Sequence, residues 1–379
     1  MKLVAQEKCT GCGACISLCP QQCIAMKQNA QGFFVPEIDE SRCVDCGKCR
    51  AVCHVLKEHN DVVENSSFSA VWAKEKDQRF SGSSGGVFGL LAEAVLNEGG
   101  IVFGAAFSDD YKSLAHRSTD SVSLEKLKKS KYFESEMGNT VADILAELKK
   151  DRWVLFCGTP CQAMGLRSAF GEKYDKLIIC DFLCYGVPSQ TAYRKYISDI
   201  EKKYDKKVKS VSFRSKKLGW KTYCMYIEFE GGGEYLKTAN EDPFLKLFFG
   251  NVAMRDCCYE CKRAEMSEAD ITLGDFWGVT RLKDFTDTDE GISLVAVHNE
   301  KGQKWMEKIS EKLAAQPLEK EWVEYAYNKK MPQKRGGDIN FYTFDFFDND
   351  ILPKNNLKTK LKSFCFKNKF IRKLIYKKG

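Results

Sequence analysis

The feature that most constrains this chain is a cysteine pattern that occurs twice near the N-terminus. "CTGCGACISLCP" and "CVDCGKCRAVC" share the spacing Cys-x2-Cys-x2-Cys-x3-Cys, and the two copies are 34 residues apart. The eight positions are Cys9, Cys12, Cys15 and Cys19 in the first copy and Cys43, Cys46, Cys49 and Cys53 in the second. Between the copies, residues 24–39 read as two short extended segments around a turn. The repeat therefore predicts a small α+β unit over residues 1–57 with internal symmetry.

Cysteines at these spacings are suited to binding iron-sulfur clusters. Three closely spaced thiolates bind three irons of a cubane, and in bacterial two-cluster 4Fe-4S ferredoxins the fourth cysteine of each run binds the other cluster. The predicted first set is Cys9, Cys12, Cys15 and Cys53, and the predicted second set is Cys43, Cys46, Cys49 and Cys19. Structural zinc sites use two ligand pairs rather than triplets, so we favour clusters over zinc or plain packing. His54 stands where proline is usual, and Cys23 fits neither set and is expected to be a small buried side chain.

The cysteine content also bears on the compartment. The chain has 18 cysteines, its apolar windows such as "VFGLLAEAVL" are too short to span a bilayer, and "MKLVAQEKC" lacks the apolar core of a secretory signal. We therefore expect a cytoplasmic protein. Because cytosolic thiols are kept reduced, the cysteines indicate metal or redox chemistry rather than disulfides.

The charge is concentrated at the C-terminal end. The formal net charge is +7, but residues 351–379 hold ten Lys or Arg and no acid, which leaves −3 for the rest. A nucleic-acid enzyme normally carries its positive face on the folded body, so we disfavour that function. Residues 331–379 are predicted to form a basic tail, in which Leu357, Leu361, Phe364, Ile371 and Ile375 recur at helical spacing. Such an amphipathic helix suits an anionic membrane, a partner or the chain's own main domain.

Residues 68–330 are predicted to form an α/β domain around a mixed, largely parallel sheet. Two strand-turn-helix units, "RWVLFC-GTPC-QAMGLRSAF" and "KLIICDFL-CYGVPS-QTAYRKYISDIEKKY", share one design. Side chains in such turns gather at the carboxyl ends of the strands, where ligands usually bind. Cys161 and Cys184 are expected at that edge. Cys157 and Cys180 fall inside the strand runs and are expected to be packed core residues.

A further cysteine pair follows in "MRDCCYECKRA". Cys258 and Cys261 have the spacing of a metal-binding hairpin, which alone is compatible with zinc, with redox chemistry or with no site. Cys257, which precedes this pair, is not part of the Cys-x2-Cys spacing. With Cys161 and Cys184 the pair makes four thiols, the number that a cubane needs. Arg255 beside it is suited to stabilising a reduced cluster, with surface solvation as the plainer alternative.

Other motifs suggest a phosphate or flavin site. The loop residues Ser81, Ser83, Ser84, Gly85 and Gly86 precede a predicted helix, and a glycine-rich turn at a helix start can offer backbone N–H groups to a phosphate. A plain connection is the alternative. Lys131 in "SKY" and Asp275 in "GDFWG" are candidate flavin or substrate contacts, although each residue type in such a position also serves structural roles. No catalytic residue is nominated.

Taken together, these motifs resemble those of the beta subunits of coenzyme F(420) hydrogenases and dehydrogenases, which form one family. The resemblance extends over nearly the whole chain to about residue 330. It rests on the Ser/Gly motif at 81–86, "KSKYFES" at 129–135, "GTPCQ" at 158–162, "CYGVPS" at 184–189, "RDCCYEC" at 255–261 and "GDFWG" at 274–278.

The resemblance implies an iron-sulfur flavoprotein that passes electrons between clusters, FAD and a small-molecule hydride donor or acceptor. It also implies a third 4Fe-4S cluster on Cys161, Cys184, Cys258 and Cys261. Tyr185 stands where relatives commonly have histidine, so no acid-base role is expected there. The substrate is left open, because similar chains occur in organisms not expected to make the deazaflavin, and some accompany surface-polysaccharide synthesis. The alternatives are a non-catalytic electron-relay subunit serving a redox partner protein, and a zinc scaffold.

Overall fold

A computed structural model describes residues 3–58, 65–261, 268–283, 285–286, 288–319 and 344–347. Structural statements below concern these residues. The predicted amphipathic helix of the basic tail lies outside them.

The described residues form helices and strands in the following order. The α-helices are α1 (Ala14–Ser17), α2 (Lys48–Ala51), α3 (Lys76–Ser81), α4 (Val87–Asn97), α5 (Leu124–Leu127), α6 (Thr140–Lys149), α7 (Pro160–Phe170), α8 (Gln190–Tyr204), α9 (Pro243–Phe249) and α10 (Glu300–Lys308). The strands are β1 (Ile24–Gln28), β2 (Phe34–Ile38), β3 (Ser67–Ala73), β4 (Ile101–Phe107), β5 (Leu114–Ser118), β6 (Val154–Gly158), β7 (Leu177–Phe182), β8 (Val208–Ser215), β9 (Cys224–Phe229), β10 (Glu234–Thr238), β11 (Ile271–Asp275), β12 (Ser293–Val297) and β13 (Leu313–Pro317).

The N-terminal part repeats in space the symmetry of its sequence. Helices α1 and α2 follow Gly13 and Gly47, which have nearly the same left-handed conformation, with φ of 75° at both. Glycine adopts this conformation without steric cost, so each cysteine triplet can turn directly into a helix. Strands β1 and β2 pair antiparallel between the two copies. We call residues 3–58 the N-terminal module.

The main sheet has eight strands in the order β13-β3-β12-β11-β7-β6-β4-β5. The predicted mixed α/β class is confirmed, but the parallel part is confined to the four central strands β11, β7, β6 and β4. The flanking pairings are antiparallel. Parallel neighbouring strands need a crossover connection, usually through a helix. The described residues between β11 and β12 contain no α-helix, and these two strands pair antiparallel.

A second, three-stranded antiparallel sheet, β10-β9-β8, was not predicted. It packs with α8 and α9 around an aromatic core, in which the rings of Phe133 and Tyr193 stack with centroids 3.8 Å apart. Strands β9 and β10 are joined through consecutive glycines at 231–233, all with positive φ. This sheet and α9 form one wall of the cleft described below.

Helix α7 presents its first turn at the carboxyl end of β6. Thr159 and Gln162 form a capping box, and Pro160 occupies the first turn. The residue types suit a helix start, because proline needs no hydrogen-bond partner there and the cap satisfies free N–H groups. Cys161 therefore lies inside the helix rather than in the preceding turn, where we expected it. None of the described helices is long and apolar enough to cross a membrane.

Candidate iron-sulfur centres and the adjoining cleft

The predicted first set is brought together in the N-terminal module. Burial, together with the neighbouring thiols of Cys9 and Cys53, raises the pKa of Cys12 to about 11. Burial also raises the pKa of Cys15, and the other three thiols of the set act in the same direction. His54, at the position usually held by proline, is fully buried, and its Nε2 lies 2.9 Å from the hydroxyl of Thr10 in the loop of this set.

The predicted second set lines one cavity. Its cysteines are Cys19, Cys43, Cys46 and Cys49. Cys46 is exposed, so this cavity lies at the outer face of the module. Cys23 is buried as expected, yet it also lines the cavity, and its Sγ lies 3.4 Å from that of Cys19. The sequence spacing gave no indication of that proximity.

The third group of cysteines forms where two loops meet. Cys161 lies in the first turn of α7, with its Sγ 3.1 Å from the Thr159 hydroxyl. Cys184 follows β7, and the N–H of Gly186 points at its Sγ from 3.4 Å. Both positions supply donors that stabilise a thiolate.

The segment with the cysteine pair is held against the Cys184 loop by backbone contacts. The N–H of Arg255 donates to the carbonyl of Val187 at 2.9 Å, and the N–H of Cys258 donates to the carbonyl of Arg255 at 2.8 Å. A Cβ on Gly186 would lie 3.3 Å from the Cβ of Cys258. The pair lies in and just after a short 3-10 helix, Asp256–Glu260, rather than in a hairpin.

The thiols of this third group influence one another. Burial, together with neighbours that include Cys261 and Cys257, raises the pKa of Cys184 to about 12. Burial and the same neighbours raise the pKa of Cys161. A hydrogen bond with Cys257 raises the pKa of Cys258. Cys257, which is not part of the Cys-x2-Cys spacing, therefore belongs spatially to this group, which gathers five thiols.

Buried thiols with raised pKa values stay protonated at neutral pH unless a cation replaces the lost water. Iron supplies such a cation, so the chemistry of the first and third groups fits iron-sulfur ligation. For the second set the supporting observation is the cavity that its four cysteines line. Among the described residues, no three His, Cys, Asp or Glu side chains lie close enough together to hold a single metal ion. The ligands of a cubane are spaced more widely than those of one ion, because each thiolate binds a different iron.

Arg255 joins the N-terminal module to the third group. It is 3% exposed, so the alternative of surface solvation is wrong. Its Nε donates to the carbonyl of Cys9 and one terminal nitrogen to the carbonyl of Phe34, each at 2.7 Å. The other terminal nitrogen pairs with the buried carboxylate of Glu134. Glu134 lies within the motif "KSKYFES", but nothing in that motif indicated this role.

The Ser/Gly loop is largely engaged in holding the sheet. Ser81 ends α3. The N–H of Gly85 donates to the hydroxyl of Ser293 at 2.9 Å, and a Cβ at Gly85 would lie 2.3 Å from the Val71 carbonyl oxygen. Gly86 has φ of 86° and approaches the backbone of α3. Gly85 therefore allows close packing against strand backbones, a role that the motif did not indicate.

Other candidates for the cofactor site do come together beside this loop. The Ser83 hydroxyl accepts from the N–H of Ser130 at 2.7 Å, which connects the loop to the segment of Lys131. Lys216 donates to the Ser84 carbonyl at 2.6 Å. Burial lowers the pKa values of Lys131 and Lys216 to about 7 each. Lys131 donates to backbone carbonyls, including that of Lys128 at 2.8 Å.

Asp275 forms an ion pair with a residue that we did not predict from the sequence. Its carboxylate pairs with Arg214 at 2.6 Å and 3.2 Å and accepts from the Trp220 indole at 3.3 Å. Arg214 also donates to the hydroxyl of Tyr132. It is buried, and its Nε has no hydrogen-bond partner among the described residues. No local motif marks Arg214, which lies within the unpredicted strand β8.

Aromatic rings surround this arginine and form what we call the aromatic cleft, comprising Tyr132, Tyr185, Arg214, Trp220, Tyr223, Phe248, Phe249 and Trp277. The guanidinium of Arg214 lies 4.1 Å from the centroid of the Tyr223 ring. Trp277 stacks on Trp220 at 4.4 Å and remains 41% exposed. Tyr185, next to Cys184, contacts Phe248 and Phe249. A planar ring system and an anion both find complementary groups here.

Comparison with known proteins supports the resemblance. Residues 8–56 match the 4Fe-4S dicluster domain, and residues 151–321 match the family that comprises the C-terminal part of the beta subunits of coenzyme F(420) hydrogenases/dehydrogenases. The chain is similar to this family over that range. Its N-terminal module is a 4Fe-4S dicluster domain, as the cysteine spacing predicted.

Individual relatives within the F(420) hydrogenase/dehydrogenase family are distant. A subunit of the F(420)H(2) dehydrogenase of Methanosarcina mazei is 24% identical over 195 residues, which cover 48% of this chain and 55% of the relative. The chain thus spans about half the length of that curated relative. A protein of the F(420)-reducing [NiFe] hydrogenase complex from Methanosarcina barkeri is similar at 16% identity and a TM-score of 0.46, over 70% of this chain and 89% of that one.

The two matched ranges divide the candidate residues unevenly. All eight cysteines of the N-terminal module lie within residues 8–56. The four thiols expected for the third set, and Asp275, lie within residues 151–321. The Ser/Gly loop and Lys131 lie outside both ranges.

Proposed function

We propose that this chain is an iron-sulfur flavoprotein oxidoreductase. It passes electrons between three 4Fe-4S clusters, a flavin and a small-molecule hydride donor or acceptor, of the deazaflavin type or another. The observation that carries the proposal is the third group of part-buried thiols, which lies between the dicluster module and the aromatic cleft. A carrier at this position links a one-electron module to a site suited to a planar cofactor.

The protein's own residues prepare three ligand sets. The proposed ligands are Cys9, Cys12, Cys15 and Cys53 for the first set, Cys19, Cys43, Cys46 and Cys49 for the second, and Cys161, Cys184, Cys258 and Cys261 for the third. The Thr159 hydroxyl and the Gly186 N–H are oriented to stabilise thiolates in the third. When bound, the clusters supply one-electron transfer and FAD supplies the conversion between one-electron and hydride chemistry.

The aromatic cleft supplies what a flavin requires from the protein. The exposed face of Trp277 offers a stacking surface, and Lys131 and Lys216 offer positive charge beside Ser83 and Ser84 for the pyrophosphate. Arg214 offers one further donor, its Nε. Because burial lowers the pKa values of both lysines to about 7, either can hold or release a proton near neutral pH. The proposed cofactor residues thus remain Ser81, Ser83, Ser84, Gly85, Gly86, Lys131 and Asp275, joined by Arg214.

The proposal includes the organisation and surroundings of the chain. It divides the chain into the dicluster domain at 1–57, the family domain at 68–330 and a basic tail at 331–379, in the cytoplasm. A redox partner protein or subunit exchanges electrons with the exposed second set. The basic tail contacts a membrane surface, and nucleic acid is not a partner.

Anaerobic reconstitution, followed by iron, sulfide and flavin quantification, tests this function. We expect about 12 irons per chain, since each cubane holds about four, and a flavin absorbance that bleaches on reduction. The Cys161→Ala protein should hold about 8 irons. The matched variant Cys157→Ala should retain the wild-type iron content, because Cys157 packs beside the core in register with Cys180.

Three results would contradict the proposed function in whole or in part. About 8 irons in wild type, with a complete dicluster module, would remove the third set. Full iron content without flavin, even after FAD is added, would favour the relay subunit over the oxidoreductase. A colourless protein with bound zinc would favour the scaffold.

A further inference from the structure

Arg255 contacts a cysteine loop of the N-terminal module and a cysteine loop of the main domain. Its side chain donates to the carbonyl of Cys9 in the first set, while its own carbonyl accepts from the N–H of Cys258 in the third. Both terminal nitrogens are also engaged, with the Phe34 carbonyl and the Glu134 carboxylate. One residue therefore fixes the loop of the first set relative to the loop of the third.

Glu134 completes this connection from the main domain. Its second carboxylate oxygen accepts from the N–H of Phe34 at 3.2 Å. Its own N–H donates to the carbonyl of Pro188, in the loop that begins with Cys184. The ion pair of Arg255 and Glu134 is thus bonded to the N-terminal module on one side and to both loops of the third group on the other.

Gly165 provides an independent contact between the same two sets. It lies one helical turn after Cys161, so both residues occupy the same face of α7. A Cβ at Gly165 would lie 2.8 Å from the Cβ and 2.9 Å from the Sγ of Cys12. The helix that carries Cys161 therefore rests directly on the loop of the first set, and this approach requires glycine.

We propose that Arg255, Glu134 and Gly165 form a docking latch that holds the first cysteine set at a fixed, short separation from the third. The three residues are positioning residues, since none is a proposed ligand. The inference rests on the proposed function. It makes the N-terminal module a rigid part of the electron path rather than a carrier that swings on a linker.

The Arg255→Met protein tests the latch. In reconstituted, fully reduced wild type, EPR should show magnetic interaction between the first and third clusters in addition to that between the two clusters of the module. Arg255→Met should lose only the former. Electron transfer from the module to the third cluster, followed by stopped-flow absorbance, should also slow, because electron transfer between two clusters weakens steeply as they move apart. Arg255→Lys should not restore the interaction, because a compact ammonium cannot reach three acceptors that lie around a planar guanidinium.

Arg42→Met is the matched control. Arg42 lies exposed on the same module and donates to the Gln21 carbonyl within it. This variant should retain both magnetic interactions and the wild-type rate.

Gly165→Ala keeps the test decisive if Arg255→Met does not fold. Alanine is more favourable than glycine inside a helix, so α7 itself is not weakened. The added Cβ should displace the loop of Cys12 and remove the same interaction. Gly89→Ala in α4 is its control, since its nearest neighbour is the flexible end of Lys128 at 3.1 Å.

The outcomes separate the latch from the function. Suppose that the wild type holds about 12 irons and that Gly165→Ala leaves the magnetic interaction and the electron-transfer rate unchanged. This result would overturn the latch but not the proposed function. Absence of the third cluster from wild type would overturn both.

Discussion

His298 shows how a single part-buried residue makes stability depend on pH. Its ring lies 2.6 Å from the Ser66 hydroxyl through Nδ1 and 2.8 Å from the Thr272 hydroxyl through Nε2. Burial lowers the pKa of this imidazole to about 4, although nearby Asp270 opposes the shift. Both partners are hydroxyls, which can accept from or donate to a neutral ring. The site therefore favours the uncharged form.

This environment predicts acid lability. Between about pH 4 and 6.5 the unfolded chain binds a proton at His298 that the folded protein excludes, so the unfolding free energy falls as the pH is lowered. Between pH 7 and 5 the loss from this residue should be roughly 2 kcal/mol. Thermal unfolding of wild type and of His298→Gln at both pH values measures it. The variant should lose less stability on acidification, and an identical loss in the two proteins would contradict the assignment.

At the scale of elements, α9 depends on the residue just before it. Asp242 caps the helix by accepting from the N–H of Leu245 at 2.7 Å. The same buried carboxylate accepts from the hydroxyls of Tyr196 at 2.7 Å and Tyr235 at 2.9 Å. One side chain thus joins α9 to α8 and to strand β10, and α9 carries Phe248 and Phe249 into the aromatic cleft.

Replacing this cap should weaken the whole wall of the cleft. Asp242→Ala removes the cap and leaves two buried hydroxyls without their acceptor, which should lower the unfolding free energy by about 2–4 kcal/mol. Asp242→Asn keeps an acceptor oxygen and should cost clearly less. Urea unfolding compares the two proteins with wild type. Equal losses for Ala and Asn would show that the oxygen contributes little.

The elements also show what sequence could predict. The two cysteine runs, β6, α7, β7 and α8 were predicted because their signals are local: spacing, apolar runs and turn residues. The sheet of β8, β9 and β10 was missed because its strands mix polar and apolar residues and contain no motif. Arg255 and Glu134 are 121 residues apart, and Arg214 and Asp275 are 61 apart. Such pairs leave no pattern in either local segment, so only the fold reveals them.

For the molecule as a whole, the second cysteine set is the most accessible. Cys46 of the second set is exposed, whereas Cys9 of the first is 7% exposed and the five thiols of the third group are part-buried. A partner protein can therefore approach the second set most closely.

The charge distribution gives a prediction at the same scale. Residues 351–379 carry ten of the chain's basic residues and no acid, so their removal changes the formal net charge from +7 to −3. Full-length protein should sediment with anionic liposomes at low salt, each basic residue near the surface contributing about 1 kcal/mol. A chain truncated after Asp350 should remain in the supernatant, as should full-length protein with neutral liposomes. Equal recovery of the two chains with anionic liposomes would exclude membrane contact by the tail.

The contact between Arg255 and the Cys9 carbonyl spans 246 residues of sequence. A ribosome adds roughly 5–20 residues per second, so about 12–50 s separate the synthesis of these two partners. Early in that interval the N-terminal module is already made, but α7 and the two loops that will cover it are not. The thiols that are most enclosed in the finished protein are thus open to the surrounding solution while the chain is still growing.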